Sequence, residues 1–166
     1  MSKIELKKLS LNLLILMMVF LIDRLTKFYI LKLAEDDNLV DIYLTSYLNL
    51  YLIWNKGIAF GLFSVNESII YNTITMVIGV IIIIICFMVW KNDNIKRYFL
   101  VCIAGGAIGN IYDRVVYGAV PDFIDLHIQE FHWFIFNVAD IFITIGVFCL
   151  ICAEIFLKNE KNEKIN

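Results

Sequence analysis

Long apolar runs alternate with short polar segments along the chain, and this pattern predicts transmembrane helices. A helix that spans a bilayer needs about 20 consecutive, mostly apolar residues. Runs of roughly that length occupy residues 9–33, 69–90, 98–116 and 134–157. Shorter polar stretches, 1–8 and 158–166, flank them. The pattern therefore predicts an all-α membrane protein with four transmembrane helices.

Two segments, 34–68 and 117–133, interrupt the helical pattern. Residues 39–54 are rich in Leu, Ile, Val and Tyr, a composition that favours β-strand over helix. Asn55 and Gly57 then mark a turn, and residues 117–133 are predicted to form a loop. We expect the two segments to make a small β-sheet and loop region outside the membrane.

The composition supports a membrane protein with one compact domain over residues 1–166. Hydrophobic residues make up 61% of the chain and charged residues 18%, and the mean hydropathy is +0.80. Soluble domains are nearer to about half apolar and about a quarter charged. The net charge of −2 argues against nucleic acid as a partner.

The distribution of basic residues predicts the orientation in the membrane. Three basic residues lie in the N-terminal tail, three in residues 91–97 and three in the C-terminal tail, whereas the two opposite segments offer one clear case, Lys56. Because Lys and Arg concentrate on the cytoplasmic side, we expect both termini in the cytoplasm. The segments 34–68 and 117–133 then lie on the outer side.

Charged side chains within predicted transmembrane helices are costly, so each is expected to have a partner or a function. Asp23 and Lys27 lie four residues apart on one face of the first helix, which predicts an ion pair. Residues 105–140 hold a second concentration of polar groups: Asn110, Asp113, Asp122, Asp125, Asn137 and Asp140. Their positions along the predicted helices and loop place all of these groups near the outer leaflet.

Two carboxylates that share a site divide one proton between them, and such a pair can hydrolyse an amide without a metal ion. The ionised member takes a proton from water, while the neutral member donates a hydrogen bond to the scissile carbonyl. Spacing alone leaves open which of the four aspartates in residues 105–140 form such a pair.

Metal and thiol chemistry receive less support from the sequence. His127 and His132 lie close to Asp125 in a predicted loop and are able to bind a metal, but loop histidines are more often solvated or hydrogen-bonded. Cys149 and Cys152 form a C-x-x-C within an apolar run, where a thiol behaves as a small hydrophobic group. We therefore predict that the protein uses no metal and no other cofactor.

Short motifs occur in a fixed order along the chain. They are DRLTK at 23–27, NKGIAF at 55–60, GGAIGNIYDR at 105–114, VPDF at 120–123 and FNVAD at 136–140. In these motifs and in its four-helix pattern the chain resembles lipoprotein signal peptidase, or signal peptidase II, a family of membrane aspartyl peptidases. The motifs are short individually, but together and in this order they are specific.

The resemblance implies that Asp122 and Asp140 are the catalytic pair and that Asp113 has a structural role, holding Arg114 or a loop amide. It also implies a set of residues that line the site and bind substrate backbone or brace the aspartates, namely Asn55, Asn110, Arg114 and Asn137. Gly57 has no Cβ and leaves room for an extended substrate backbone beside the turn. Segment 34–68 resembles the outer sheet that cradles substrate in this family.

The family cleaves a prolipoprotein just before a cysteine that carries diacylglycerol. The resemblance thus implies a lipid-modified prolipoprotein and membrane lipids as partners, and a monomer in the bacterial cytoplasmic membrane.

Two other classes of function are less well supported. A proton-coupled transporter usually has its site at the midplane between internal repeats. The small residues Gly105, Gly106, Ala107 and Gly109 predict close helix packing, and a non-catalytic assembly factor would use them for nothing else.

Overall fold

The computed structural model describes residues 3–37, 40–57 and 67–163. Its helices are α1 (Lys3–Asp37), α2 (Glu67–Lys91), α3 (Lys96–Tyr117) and α4 (Val138–Glu163). Each of these four helices is long and apolar enough to cross a membrane. The prediction of four helices with membrane-spanning length and composition is therefore confirmed.

The small sheet that was expected beside the helices is present. Its strands are β1 (Asp41–Thr45), β2 (Leu48–Asn55), β3 (Val120–Ile128) and β4 (Phe131–Phe136). They pair antiparallel in the order β1-β2-β3-β4. The β-forming composition that follows α1 thus forms the β1–β2 hairpin, which lies against a second hairpin from a distant part of the chain.

The predictions of a loop over 117–133 and of a helix from residue 134 are wrong. β3 and β4 occupy most of that segment, and α4 begins at Val138. The sequence of β4, Phe131–Phe136, is aromatic and β-branched, which suits a strand, and it pairs with β3 through Asp125 with Ile135. An apolar run cannot show by itself where a strand ends and a helix begins.

α1 extends beyond the predicted range of 9–33 at both ends, because Lys, Glu and Ala continue a helix readily after the apolar run has ended. Near its start, Lys8 Nζ lies 2.8 Å from Asp93 Oδ1 in the α2–α3 connection. Lys96 at the start of α3 contacts Glu154 near the end of α4. These contacts gather the start of α1, the α2–α3 connection and the end of α4 at one end of the molecule.

The small residues of α3 allow α1 and α4 to approach its backbone closely. A Cβ at Gly106 would lie 2.6 Å from the carbonyl oxygen of Ala139 in α4, and a Cβ at Gly109 would lie 2.7 Å from Asp23 Oδ2 in α1. The predicted role of this patch in close helix packing is confirmed. Because the helices meet here, polar side chains of α1, α3 and α4 converge at the same level.

The sheet is held against α1 by a small apolar cluster. Ile30 of α1, Val40 before β1 and Phe123 of β3 are each at most 4% exposed and pack together. Phe123 is the neighbour of Asp122 in sequence, so this packing fixes the position of β3 along the axes of the helices. The cluster therefore positions the strand that carries the first candidate catalytic residue.

Candidate active site

Asp122 lies on β3 opposite Ile53 of β2, and only 2% of its surface is exposed. Its Oδ1 accepts a hydrogen bond of 2.6 Å from Asn137 Nδ2, and its Oδ2 accepts one of 2.8 Å from Asn55 Nδ2. The two donors come from opposite sides of β3, since Asn137 follows β4 and Asn55 is the last residue of β2. Together they fix the orientation of the carboxyl group.

Asp140 lies in the first turn of α4 and forms a reciprocal cap with Asn137. The backbone N–H of Asp140 donates to Asn137 Oδ1, and the backbone N–H of Asn137 donates to Asp140 Oδ2, each at 3.1 Å. This is the capping-box arrangement, with Asn and Asp in place of the usual Ser and Glu. The cap explains why α4 begins at Val138. Asp140 is therefore the third residue of α4, whereas a helix that began at residue 134, as predicted, would place Asp140 six residues beyond its start.

Asn137 joins the two candidate catalytic aspartates. Its side-chain amide donates to Asp122, while its backbone N–H donates to Asp140. Asn137 is 1% exposed, so the bridge is buried. The structure thus brings Asp122 and Asp140 to one site from a strand and a helix that are joined through β4 and Asn137.

Asn110 of α3 connects Asp140 to a buried cation. Its Nδ2 donates to Asp140 Oδ1 at 2.8 Å, and its Oδ1 accepts from Lys27 Nζ at 2.9 Å. An ammonium group only donates hydrogen bonds, so the amide oxygen must face Lys27 and the amide nitrogen must face Asp140. Lys27 therefore orients the donor that holds the second carboxylate.

Lys27 belongs to a buried charge cluster of Asp23, Arg24, Lys27 and Asp113. Lys27 Nζ lies 3.0 Å from Asp23 Oδ1, which confirms the predicted ion pair, and 2.6 Å from Asp113 Oδ2. Arg24 contacts Asp113 Oδ1 at 2.5 Å and Asp23 Oδ2 at 2.6 Å. Asp23 and Asp113 are both fully buried, with 0% of their surface exposed. Two positive and two negative side chains balance one another, as buried charges require.

The charge cluster also holds α4 in place. Asp23 Oδ1 accepts a 3.0 Å hydrogen bond from the backbone N–H of Ala139, a group that has no partner within its own helix. The sequence assigns no role to Arg24, although a charge inside an apolar run is a signal for one. The resemblance implies that Asp113 holds Arg114 or a loop amide, whereas in the structure Asp113 binds Arg24 and Lys27.

Arg114 lies beside the turn formed by Asn55 and Gly57. Gly57 has a φ of +76°, and a Cβ there would lie 2.8 Å from Arg114 Nη2. Asn55 Oδ1 accepts a hydrogen bond from the Gly57 N–H at 2.6 Å. Both polar ends of the Asn55 side chain therefore have partners within the protein, and the space left by the missing Cβ of Gly57 is occupied by Arg114.

Two donor groups of the Arg114 guanidinium have no partner among the described residues. Arg114 is 9% exposed, and its Nε and Nη1 have no hydrogen-bond partner in the part of the chain that the structure describes. Its guanidinium carbon lies 5.3 Å from the ring centroid of Tyr71, whose hydroxyl donates to the Arg114 carbonyl. A buried donor without a partner is costly, so these N–H groups are suited to bind a ligand.

The environment of Asp122 raises the pKa of its carboxyl group, which makes the protonated form more accessible than in an ordinary aspartate. Burial raises the pKa of Asp122 to about 6, and the charge of Asp140 acts in the same direction. The hydrogen bonds from Asn55 and Asn137 and the charge of Lys27 oppose these effects on the pKa. Asp140 instead lies at the N-terminus of a helix, where negative charge is stabilised. Such a pair is able to hold one proton, with one member neutral and the other ionised.

The histidines lie on the β3–β4 hairpin with Asp125. His132 Nδ1 lies 2.9 Å from Asp125 Oδ2, so His132 is hydrogen-bonded, whereas His127 is buried at 8% exposure rather than solvated. Asp125, His127 and His132 lie close enough together to hold a metal ion. Neither histidine has a hydrogen bond to Asp122 or Asp140 among the described contacts.

Comparisons with known proteins agree with these observations. Residues 15–156 match the family model described as Signal peptidase (SPase) II. The chain is 68% identical to a lipoprotein signal peptidase of Pelagibacter ubique (strain HTCC1062) over 99% of both chains. It is 40% identical to a lipoprotein signal peptidase of Anaplasma phagocytophilum (strain HZ) over 94% of this chain and 99% of the relative.

A solved structure has the same fold. It is a bacterial membrane enzyme determined by the in meso method at 1.9 Å resolution, and it superposes with a TM-score of 0.71 at 30% sequence identity. The superposition covers 87% of this chain and 92% of that chain.

Proposed function

The chain belongs to the signal peptidase II family, whose members remove signal peptides from prolipoproteins, and we propose that it does so by aspartyl catalysis with Asp122 and Asp140. It is a protease and a multi-pass inner-membrane protein. The observation that carries the proposal is the bridge formed by Asn137, which donates one hydrogen bond to each of these two carboxyl groups.

In the proposed mechanism Asp122 and Asp140 have different roles. Asp122, whose pKa is raised to about 6, holds the shared proton in a hydrogen bond to the scissile carbonyl and transfers it to the carbonyl oxygen as water attacks. Asp140 is ionised, stabilised by Asn110 and the N-terminus of α4, and takes a proton from the attacking water. When the tetrahedral intermediate collapses, Asp140 gives the proton that it took from water to the leaving amine, and Asp122 takes a proton back from the intermediate.

The substrate would be a lipidated prolipoprotein, cleaved before the cysteine that carries diacylglycerol. The Arg114 N–H groups that lack a partner among the described residues are suited to bind a backbone carbonyl of an extended substrate segment beside Gly57. An open groove between α1 and the sheet is lined largely by apolar side chains, among them Phe28, Leu31, Trp54 and Tyr117. This surface is suited to the acyl chains of the substrate. The protein acts as one domain over residues 1–166 and as a monomer.

Cleavage of a lipidated prolipoprotein by the purified protein tests this proposal. The substrate and a matched peptide without diacylglycerol are incubated with enzyme in detergent micelles, and the products are identified by mass spectrometry. We expect a new N-terminus at the lipidated cysteine and no turnover of the unlipidated peptide. Cleavage at another bond, or equal turnover of both peptides, would contradict the proposed substrate.

We expect both termini in the cytoplasm and the sheet with its active site near the outer leaflet. In a background without native cysteines, Tyr43→Cys on the exposed face of β1 should react with an impermeant thiol reagent in intact cells. Asn94→Cys, in the exposed α2–α3 connection, should react only after the cells are permeabilised. The opposite pattern of labelling would reverse the orientation. Asn38, another candidate for outward labelling, lies outside the described residues.

The Asn55→Gly variant is expected to lower kcat/KM by about ten- to a hundredfold, because a lost hydrogen bond to a buried group costs about 1–3 kcal/mol. The Asn55 amide holds Asp122 Oδ2 and lowers the pKa of that carboxyl group. Removal of this amide should raise the pKa of Asp122. The limb of the kcat/KM–pH profile that reflects Asp122 should therefore shift to higher pH. The variant also removes the hydrogen bond that Asn55 Oδ1 accepts from the Gly57 N–H, but glycine forms turns as readily as asparagine, so we expect the turn to be kept.

Asn49→Gly, the same change on the same strand, is the matched control for Asn55→Gly. Asn49 pairs across the sheet with Asp125 and has no hydrogen bond to Asp122 among the described contacts. A kcat/KM of wild-type size for Asn55→Gly would show that Asn55 only shapes the turn. Equal losses in both variants would attribute the effect to the strand rather than to the contact with Asp122.

The activity is expected to survive treatment with EDTA or phenanthroline, because the carboxyl pair supplies both proton acceptor and proton donor. The initial rate of cleavage is measured before and after chelation, and after zinc is added back. A loss of activity that zinc restores would contradict metal-free catalysis.

A further inference from the structure

Three side chains that can bind a metal meet on the β3–β4 hairpin. Asp125 and His127 are two residues apart on β3, and His132 on β4 is the cross-strand partner of His127. One ligand atom from each of the three lies within 4.8 Å of the others. The hairpin pairing thus brings together three residues that the sequence places in a loop, where the histidines are expected to be solvated or hydrogen-bonded rather than metal-bound.

A simple Asp–His hydrogen bond accounts for only part of this cluster. His132 Nδ1 lies 2.9 Å from Asp125 Oδ2, which is a hydrogen bond, whereas His127 Nδ1 lies 3.8 Å from the same oxygen, which is too long for one. His127 is 8% exposed, and its Nδ1 has no hydrogen-bond partner in the described part of the chain. A buried imidazole nitrogen without a partner is costly, and it points to a missing ligand.

The geometry suits a tetrahedral zinc ion. Zinc bonds to nitrogen and oxygen are about 2.0–2.2 Å long, which places tetrahedral ligand atoms about 3.3–3.5 Å apart. The two distances from Asp125 Oδ2, 2.9 and 3.8 Å, lie on either side of that value. The imidazole rings already stack, with centroids 5.1 Å apart and an interplanar angle of 25°. The three ligand atoms lie within 4.8 Å of one another, so side-chain adjustments of about 1 Å would bring them to the separation that zinc requires.

The cluster also has the chemistry and the access that such a site needs. Two imidazoles and a carboxylate suit zinc and its transition-metal neighbours, whereas magnesium and calcium prefer oxygen ligands alone. The side chain of His132 is 53% exposed and gives an ion a path from solvent, while Asp125 and His127 form the buried side of the site.

We propose that Asp125, His127 and His132 bind one zinc ion, with the fourth coordination position open to water. The ion would tie β3 to β4. β3 carries Asp122, and the chain continues from the end of β4 into Asn137. Zinc would therefore stabilise the hairpin that presents the catalytic groups, without taking part in peptide hydrolysis. This binding site does not depend on the proposed function.

Zinc binding is tested with chelator-stripped protein that carries no polyhistidine tag. Zinc chloride is titrated by calorimetry, and cobalt is used as a spectroscopic substitute, because a four-coordinate cobalt site absorbs visible light strongly. Unfolding is followed with and without zinc. We expect one zinc ion per chain, a tetrahedral cobalt spectrum and a higher unfolding temperature with zinc.

Conservative variants identify the ligands. Asp125→Asn and His132→Gln should each weaken zinc affinity by at least about tenfold and abolish the thermal shift. Asp41→Asn, which removes an exposed carboxylate of β1, should bind zinc like the wild type. A variant without the four cysteines should also bind normally. Activity of the stripped wild type should remain.

Several outcomes would overturn this proposal. They are the absence of zinc binding to the wild type at micromolar concentrations, unchanged binding by both Asp125→Asn and His132→Gln, and loss of binding in the cysteine-free variant. Because the first of these is measured on the wild type, the proposal can be refuted even if a variant fails to fold.

Discussion

Asp122→Asn and Asp140→Asn are each expected to lower the turnover of a lipidated prolipoprotein by at least about a thousandfold, since each carboxyl group performs a proton transfer that an amide cannot. An amide in place of the Asp122 carboxyl group could not donate the shared proton, and one in place of the Asp140 carboxylate could not accept a proton from water. Turnover is measured by gel shift with excess enzyme, so that slow residual cleavage is detected.

Stability measurements separate this loss from misfolding. Asparagine keeps the shape of aspartate, and in Asp140→Asn the side-chain oxygen can still accept the hydrogen bond from the Asn137 N–H that closes the cap of α4. The new amide nitrogen then faces Asn110 Nδ2, which is also a donor, so we expect a loss of stability of about 1–3 kcal/mol but no unfolding. Cleavage by either variant within tenfold of wild type would refute the assigned pair.

Lys27→Met is expected to destabilise the fold by about 3–5 kcal/mol, because it breaks a buried ion pair and leaves an excess negative charge. Lys27 is 1% exposed and its Nζ contacts both Asp23 and Asp113, as well as the Asn110 oxygen. Its loss also frees Asn110 to rotate away from Asp140. Unfolding in detergent and cleavage activity are measured on the same preparation, and both should fall.

Two further variants make the prediction for Lys27 specific. Lys8→Met removes an exposed partner of Asp93 and should cost no more than about 1 kcal/mol. Adding Asp113→Asn to Lys27→Met restores the charge balance with Arg24 and Asp23, so the double variant should be more stable than Lys27→Met alone. Equal stability of Lys27→Met and wild type would show that the charge cluster does not hold the helices together.

The features that the sequence predicted correctly depend on local patterns. A spanning helix needs an apolar run, an ion pair on one helix face needs a spacing of four, and close helix packing needs small residues. These signals gave the four helices, the pair of Asp23 with Lys27, and the packing patch at Gly106 and Gly109. In each case neighbouring residues along the chain carry the information.

The errors and omissions concern contacts between distant segments. The start of α4 depends on a cap made by Asn137 and on the pairing of β4 with β3, neither of which the apolar run reveals. Asp113 binds residues of α1 that lie far away in sequence. Spacing also left the choice among four aspartates open, and the assignment of Asp122 and Asp140 came from the family resemblance.

The most direct test of the central claim compares binding with chemistry in the Asp122→Asn and Asp140→Asn variants. The dissociation constant of a fluorescent lipidated prolipoprotein peptide and the single-turnover rate of its cleavage are measured on the same protein. The aspartyl mechanism predicts dissociation constants within a few-fold of wild type and no detectable cleavage by either variant. Cleavage at a measurable rate by either one, or a loss of binding that accounts for the whole loss of activity, would contradict it.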